Sequence, residues 1–195
     1  MQITAENQNP AENRLYLIGL GANLPSRHGT PLETLVAALA ALEERGIRIL
    51  ARSPWFESEP VPSSDQPWFI NGAVCVSTLE ESNNLLKILH DIEIEFGRVR
   101  TVPNAPRPLD LDLLAQIGAL PAKAPDYGSG AIDLSGKALV LPHPRLHQRA
   151  FVLRPLLAIA PGWQHPETGL SMQEMAAKLP ARPVVRLLQG LSATP

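Results

Sequence analysis

Proline occupies 20 of the 195 positions, and a residue with φ held near −65° and no backbone N–H is excluded from central strands and most helix interiors. The prolines therefore punctuate a chain that otherwise reads as folded. Apolar residues make up 45%, and the 13 glycines and 20 prolines together stay below the ~25–30% of low-complexity chains. The length suits one domain. Residues 1–13 are polar and aperiodic and are expected to be a flexible tail, leaving 14–195 as a single domain. No run approaches the ~18 apolar residues of a membrane span, and the N-terminus lacks the basic and apolar regions of a signal peptide. A cytoplasmic protein without a membrane partner is expected. Cys75 has no second cysteine to pair with, and within Ala73-Val74-Cys75-Val76 it reads as a small core residue.

Between the prolines the apolar pattern changes period several times. Leu15-Tyr16-Leu17-Ile18 with Leu20 reads as a buried strand that stops at the loop Asn23-Leu24-Pro25-Ser26. Thr30-Pro31-Leu32-Glu33 is a helix start with an N-cap Thr, proline at the first position and a capping-box Glu. That helix carries Leu35, Val36, Leu39, Ala40 and Leu42 at helical spacing and ends at Gly46. A strand over about 47–56 follows and runs into a proline-punctuated loop containing Pro54, Pro60, Pro62 and Pro67, and a third strand spans 68–76. A second helix over 82–96 places Leu85, Leu86, Leu89, Ile92 and Phe96 on one stripe, and Leu109-Asp110-Leu111-Asp112-Leu113-Leu114 alternates as a strand should. The order β-α-β-β-α-β predicts an α+β fold with a ferredoxin-like core, an antiparallel sheet with both helices on one face. C-terminal additions follow: a Gly/Pro-rich excursion over 117–136, a strand ending in Leu139-Val140-Leu141, a helix near 149–159 and a capping-box helix from Ser171.

The alternation at 109–114 has a chemical consequence. Side chains two apart on a strand share a face, so the two carboxylates project together, with Cα atoms ~6.6 Å apart, while the leucines enter the core. At an effective dielectric of ~20 such charges repel by ~2.5 kcal/mol, which a divalent cation would offset. A solvated polar face of an edge strand is the alternative. Arg98, Arg100 and Arg107 lie within the same fifteen residues, and 13 of the 17 basic residues are arginine, which suits bidentate phosphate recognition. A metal-bound polyphosphate would satisfy both sets of charges; a structural ion-pair network would also do so. With a net charge of −2 the chain has no footprint for nucleic acid.

Two further clusters stand out. His143 lies between Pro142 and Pro144, close to Arg145 and Arg149, and on its own it reads as a structural loop residue or a ligand. Asn71 interrupts an apolar strand two residues after Phe69. An amide and an aromatic on one face could hold a flat polar ring, or the amide could simply bond to backbone. The dinucleotide fingerprint and the P-loop are both absent, so a nucleotide site would have to be built from arginine and metal.

These residues lie in GLGANL, SEPV followed by DQPWFINGAV, IEIEFGRVR, APRPLDLDLL and LPHPRLHQRAFVLRPL, spread over 15–165. In that order they resemble the 6-hydroxymethyl-7,8-dihydropterin pyrophosphokinase family of folate biosynthesis. The resemblance implies a ferredoxin-like fold, ATP and the hydroxymethyl dihydropterin as partners, and transfer of the β,γ-pyrophosphoryl group to the pterin's hydroxymethyl oxygen with release of AMP. It implies Asp110 and Asp112 as ligands of two Mg²⁺ ions. Arg98, Arg107, His143 and Arg149 are implied as phosphate contacts, with Arg98 and Arg107 catalytic alongside the two aspartates. Arg100 falls in a loop that closes over the site, and Glu93 on the nucleotide side. Phe69 and Phe151 are implied as the two faces of a pterin sandwich, with Asn71 at the ring's polar edge and Ser58 and Val61 completing the pocket.

The chain departs from the family in the loop TVPNAP, in Pro144 after the histidine, and in a long segment over 115–140. A monomer without a fused second enzyme is expected. Removing either aspartate is expected to abolish turnover with little loss of fold, because it removes repulsion. A metal-dependent nucleotide-sugar transferase using Asp-x-Asp and a non-catalytic ferredoxin-like binding module are the competing readings.

Overall fold

The computed structural model describes residues 13–99, 104–119 and 139–189. The tail over 1–12, Arg100 with its loop, and most of the 117–136 excursion lie outside the described residues. The elements run β1 (Arg14–Ala22), α1 (Pro31–Glu44), β2 (Arg48–Arg52), β3 (Phe56–Ser58), β4 (Phe69–Thr78), α2 (Ser82–Glu95), β5 (Asp110–Ala119), α3 (Ala150–Ile159), α4 (Met172–Ala177) and β6 (Val185–Leu187). The sheet order is β5-β1-β4-β3-β6, with β2 also on β4, and every pairing is antiparallel.

The helix starts follow their sequence signals. Thr30 accepts from the Glu33 N–H while the Glu33 carboxylate accepts from the Thr30 N–H, and Ser171 and Glu174 repeat this box at α4. Gly46 and Gly97, at φ 74° and 86°, end α1 and α2 in the left-handed region that glycine tolerates.

The expected strand over 47–56 is two strands. At the break, Ser53 pairs with Ala73 through its N–H and its Oγ, and Trp55 turns inward over Gly72. A β-carbon on Gly72 would lie 2.5 Å from the Trp55 ring, so the indole occupies the space that glycine leaves. Residues 139–141 form no strand. No helix among the described residues is long and apolar enough to cross a membrane.

Both sheet faces are covered, which the first six elements alone did not predict. One face packs Tyr16, Ile18, Val74, Val76, Leu111 and Leu113 against Leu35, Leu42, Leu85, Leu89 and Ile92 of α1 and α2. Full burial of each such side chain contributes roughly 1.5–3 kcal/mol. The other face packs Leu17, Ala73, Leu114 and Ala115 against α3 and α4 through Leu153, Leu156, Met172 and Met175, with Cys75 at its margin. Burial pushes the Cys75 thiol above its ordinary pKa, in keeping with a core role.

Candidate active site

The face covered by α3 and α4 is not covered to its end. The register sets Gly21 of β1 between Asp110 of β5 and Asn71 of β4, and Gly19 between Asp112 and Ala73. Two strand spacings separate Asp110 from Asn71, about 10 Å, with no side chain between them. A methyl group at Gly21 would sit 3.4 Å from Asn71 Oδ1 and 3.7 Å from Asp110 Cβ. The result is a cleft with a glycine floor, Phe151 and Val152 of α3 as a wall, the amide at one end and the two carboxylates at the other. The alternation on β5 sorts as expected: Leu109, Leu111 and Leu113 are buried on the far side.

The carboxylates live in different surroundings. Asp110 is ion-paired to Arg98 and, at 2.9 Å, to Arg107. Arg98 also pairs with Glu93, which is buried and accepts the Leu111 N–H at 2.7 Å. Glu93 thus ties β5 to α2 from behind the carboxylates. Among the described residues Asp112 makes one ion pair, to Arg149 at 3.6 Å, with Arg107 and Arg98 acting on it from farther off. Burial first, and then the Asp110 charge, push the Asp112 carboxyl up to about 6. The longer, single pairing of Asp112 leaves its oxygens open to a divalent cation. Asp110 and Asp112 could hold one through oxygen, and no cluster of three or more His, Cys, Asp or Glu ligands exists among the described residues. Phosphate oxygens and water would have to complete the shell. Removing Asp110 would take one partner from each of Arg98 and Arg107 as well as relieve repulsion; Arg98 would keep Glu93.

His143 donates its backbone N–H to Leu114 O at 2.7 Å, which fastens the Pro142–Pro144 turn to β5. Its Nδ1 accepts from the Arg145 N–H at 3.1 Å, so the ring proton belongs on Nε2. Burial and then the charges of Arg149 and Arg145 lower its pKa to about 4. At neutral pH the imidazole is an uncharged donor.

At the other end, Asn71 Nδ2 donates to Ser58 Oγ at 2.9 Å and to Phe69 O at 3.4 Å. Asn71 and Ser58 are both buried, and this pairing leaves Asn71 Oδ1 beside the glycine floor. The nitrogen is held by the protein, and the oxygen faces the cleft. Phe69 and Phe151 each lie by an arginine, Arg107 at 5.3 Å and Arg149 at 5.5 Å from the ring centroids. Val61 is half exposed in the proline-rich loop after β3.

Asn23 was not singled out from sequence, yet it joins three loops. Buried at 2% exposure, it accepts the Arg107 N–H on Oδ1 at 2.8 Å and donates Nδ2 to Pro67 O and Gln66 Oε1. Its own N–H donates to Arg107 O. The signal available was a polar residue after a glycine-rich strand end, and its partners lie 43 to 84 positions away.

Residues 17–161 match the family described as 7,8-dihydro-6-hydroxymethylpterin-pyrophosphokinase. Over 175 residues the chain is 37% identical to the 2-amino-4-hydroxy-6-hydroxymethyldihydropteridine pyrophosphokinase of Pseudomonas aeruginosa, covering 89% of this chain and 96% of that one. It is 34% identical over 183 residues to the folic acid synthesis protein fol1 of Schizosaccharomyces pombe, which covers 93% of this chain and 23% of the yeast protein. The chain thus spans less than a quarter of that longer relative. Among solved structures, wild-type Plasmodium falciparum HPPK-DHPS superposes with a TM-score of 0.60 at 13% identity, over 85% of this chain and 44% of that one. At that identity the likeness concerns the fold.

Proposed function

The chain belongs to the 7,8-dihydro-6-hydroxymethylpterin-pyrophosphokinase family, and from that premise we propose that it transfers the β,γ-pyrophosphoryl group of ATP to the hydroxymethyl oxygen of 6-hydroxymethyl-7,8-dihydropterin, releasing AMP. The observation that supports the reading is the row Asp110–Gly21–Asn71, with a carboxylate end and an amide end on one glycine floor.

The flat acceptor lies at the amide end. Asn71 Oδ1 accepts from its ring N–H groups, Phe69 and Phe151 cover its faces, and Ser58 and Val61 close the pocket. The hydroxymethyl arm then points along the glycines toward Asp110 and Asp112. These two carboxylates hold two Mg²⁺ ions, which when bound neutralise the polyphosphate and orient the displacement. Arg107 and Arg149 reach the phosphates from the two sides of the cleft, His143 donates through Nε2–H, and Arg98 exchanges part of its pairing with Asp110 for phosphate. Arg100 belongs to the same nucleotide set, and Glu93 steadies Arg98 on that side. Positioning and charge supply the catalysis, since the reaction needs no covalent intermediate on the protein. The protein acts as a cytoplasmic monomer, with neither nucleic acid nor membrane as a partner.

Incubation with ATP, Mg²⁺ and the hydroxymethyl pterin tests the reading: stoichiometric AMP and pterin diphosphate are expected. Release of ADP, or no turnover, would reject it. ATP-analogue binding that does not depend on Mg²⁺ would favour the binding-module reading instead.

A further inference from the structure

Strand β6 lies beyond residues 17–161, the stretch matched to the family, and it forms the outer edge of the sheet beside β3. β3 is three residues long, and its last residue is Ser58, the partner of the Asn71 amide. A strand that short makes few ladder bonds of its own on β4, so what lies on its other side decides how firmly Ser58 is held. That side is β6, with Phe56, Glu57 and Ser58 opposite Leu187, Arg186 and Val185. The pairing is extended at both ends, by Leu188 N–H to Trp55 O at 2.9 Å and Glu59 N–H to Val184 O at 3.1 Å.

Glu59 does more than continue the ladder. Its carboxylate accepts the Val184 N–H on Oε2 at 2.9 Å, so Glu59 and Val184 are joined twice, once through backbone and once through the side chain. Arg182 stands 3.6 Å from the other oxygen, but at 82% side-chain exposure it adds little. A charge-assisted bond from a side chain one residue after Ser58 locks the end of β3 where the pocket begins.

We propose that Glu59, through the C-terminal strand, is a positioning residue for the acceptor: it holds Ser58 so that the Asn71 nitrogen stays engaged and its oxygen stays turned to the cleft. The inference rests on the pterin assignment above and deepens it. The carboxylate faces β6 rather than the carboxylate end of the cleft, so its loss is felt by one substrate only.

The test measures steady-state kinetics and direct pterin binding by tryptophan fluorescence for the wild type, Glu59→Ala, Glu59→Gln and Val184→Pro. Glu59→Ala is expected to raise the pterin KM and dissociation constant about tenfold, the equivalent of ~1.4 kcal/mol, with the ATP KM and kcat little changed. Glu59→Gln keeps an acceptor oxygen and should restore pterin binding. Val184→Pro deletes the same bond from the donor's side and should reproduce the Glu59→Ala signature, which keeps the test decisive if one variant folds poorly. An unchanged pterin KM in both disruptive variants, an equal rise for ATP, or a Gln variant as impaired as Ala would overturn the proposal. A wild-type protein that binds no pterin and releases no AMP would overturn the underlying reading as well.

Discussion

The two faces of the sheet are made by the same strands, yet one is a continuous dry core and the other a core with a gap. On the α1 and α2 face, each inward position from Tyr16 to Leu113 meets a helix. On the α3 and α4 face the apolar contact stops at Leu17, Ala73 and Leu114, and beyond it stand Gly19, Gly21, Asn71, Asp110 and Asp112. The difference teaches that the cleft is formed by omission. Glycine in β1 and the limited reach of α3 leave polar groups on a strand face that would otherwise be filled. A rigid core behind them holds those groups in register.

The largest expected contrast is between losing the carboxylates and losing the core. Asp112→Ala should lower AMP release by about three orders of magnitude, ~4 kcal/mol in the barrier, and should raise rather than lower the melting temperature of the metal-free protein at neutral pH. Asp110→Ala should cost as much activity and also about 1–2 kcal/mol of stability, because Arg98 and Arg107 lose their shared partner. Leu89→Ala, on the dry face, should do the reverse. A denaturant titration is expected to show a loss of about 2–5 kcal/mol, while activity per folded molecule is retained. If Leu89→Ala instead altered pterin affinity at full folding, the separation of the faces would fail.

Smaller effects sharpen the picture within the cleft. Asn71→Ala should raise the pterin KM about ten- to a hundredfold and leave ATP-analogue binding intact, as titration calorimetry can check. The smallest prediction concerns pH in the metal-free protein. Asp112, raised to about 6 from an ordinary value of 3.8, makes stability fall as pH rises between about 4 and 6. His143, lowered to about 4 from 6.5, makes stability fall as pH drops through nearly the same window. The two oppose each other, so the wild type should show a shallow profile. In urea midpoints at pH 4.5 and pH 7, Asp112→Asn should be relatively more stable at pH 7 and His143→Gln relatively more stable at pH 4.5. Parallel profiles for all three proteins would contradict the assigned environments.

Much of this arrangement is legible in local sequence. The capping boxes at Thr30 and Ser171, the stripe Leu85–Phe96 and the alternation at 109–114 each rest on neighbours within a few positions, and each forms as read. The break between β2 and β3 had a signal in Pro54, but its geometry depends on Trp55 finding Gly72, which local sequence does not show. The strand expected at Leu139-Val140-Leu141 fails for a related reason: apolar character is necessary for a strand, but a paired neighbour is what makes one.

From sequence alone, the chain's periodicities and caps determined which segments become helices and strands, and the Asp-Leu-Asp spacing put two carboxylates on one face. Those outcomes follow from bond geometry repeated over adjacent residues. Only the tertiary structure decided that Asp110 is paired closely by two arginines and Asp112 more loosely by one, that Asn71 turns its oxygen to the cleft, and that Asn23 and Glu59 tie together segments far apart in the chain. Charge compensation, desolvation and hydrogen-bond partnership depend on what lies within a few ångströms, and folding brings together residues such as Glu59 and Val184 that the sequence keeps 125 positions apart.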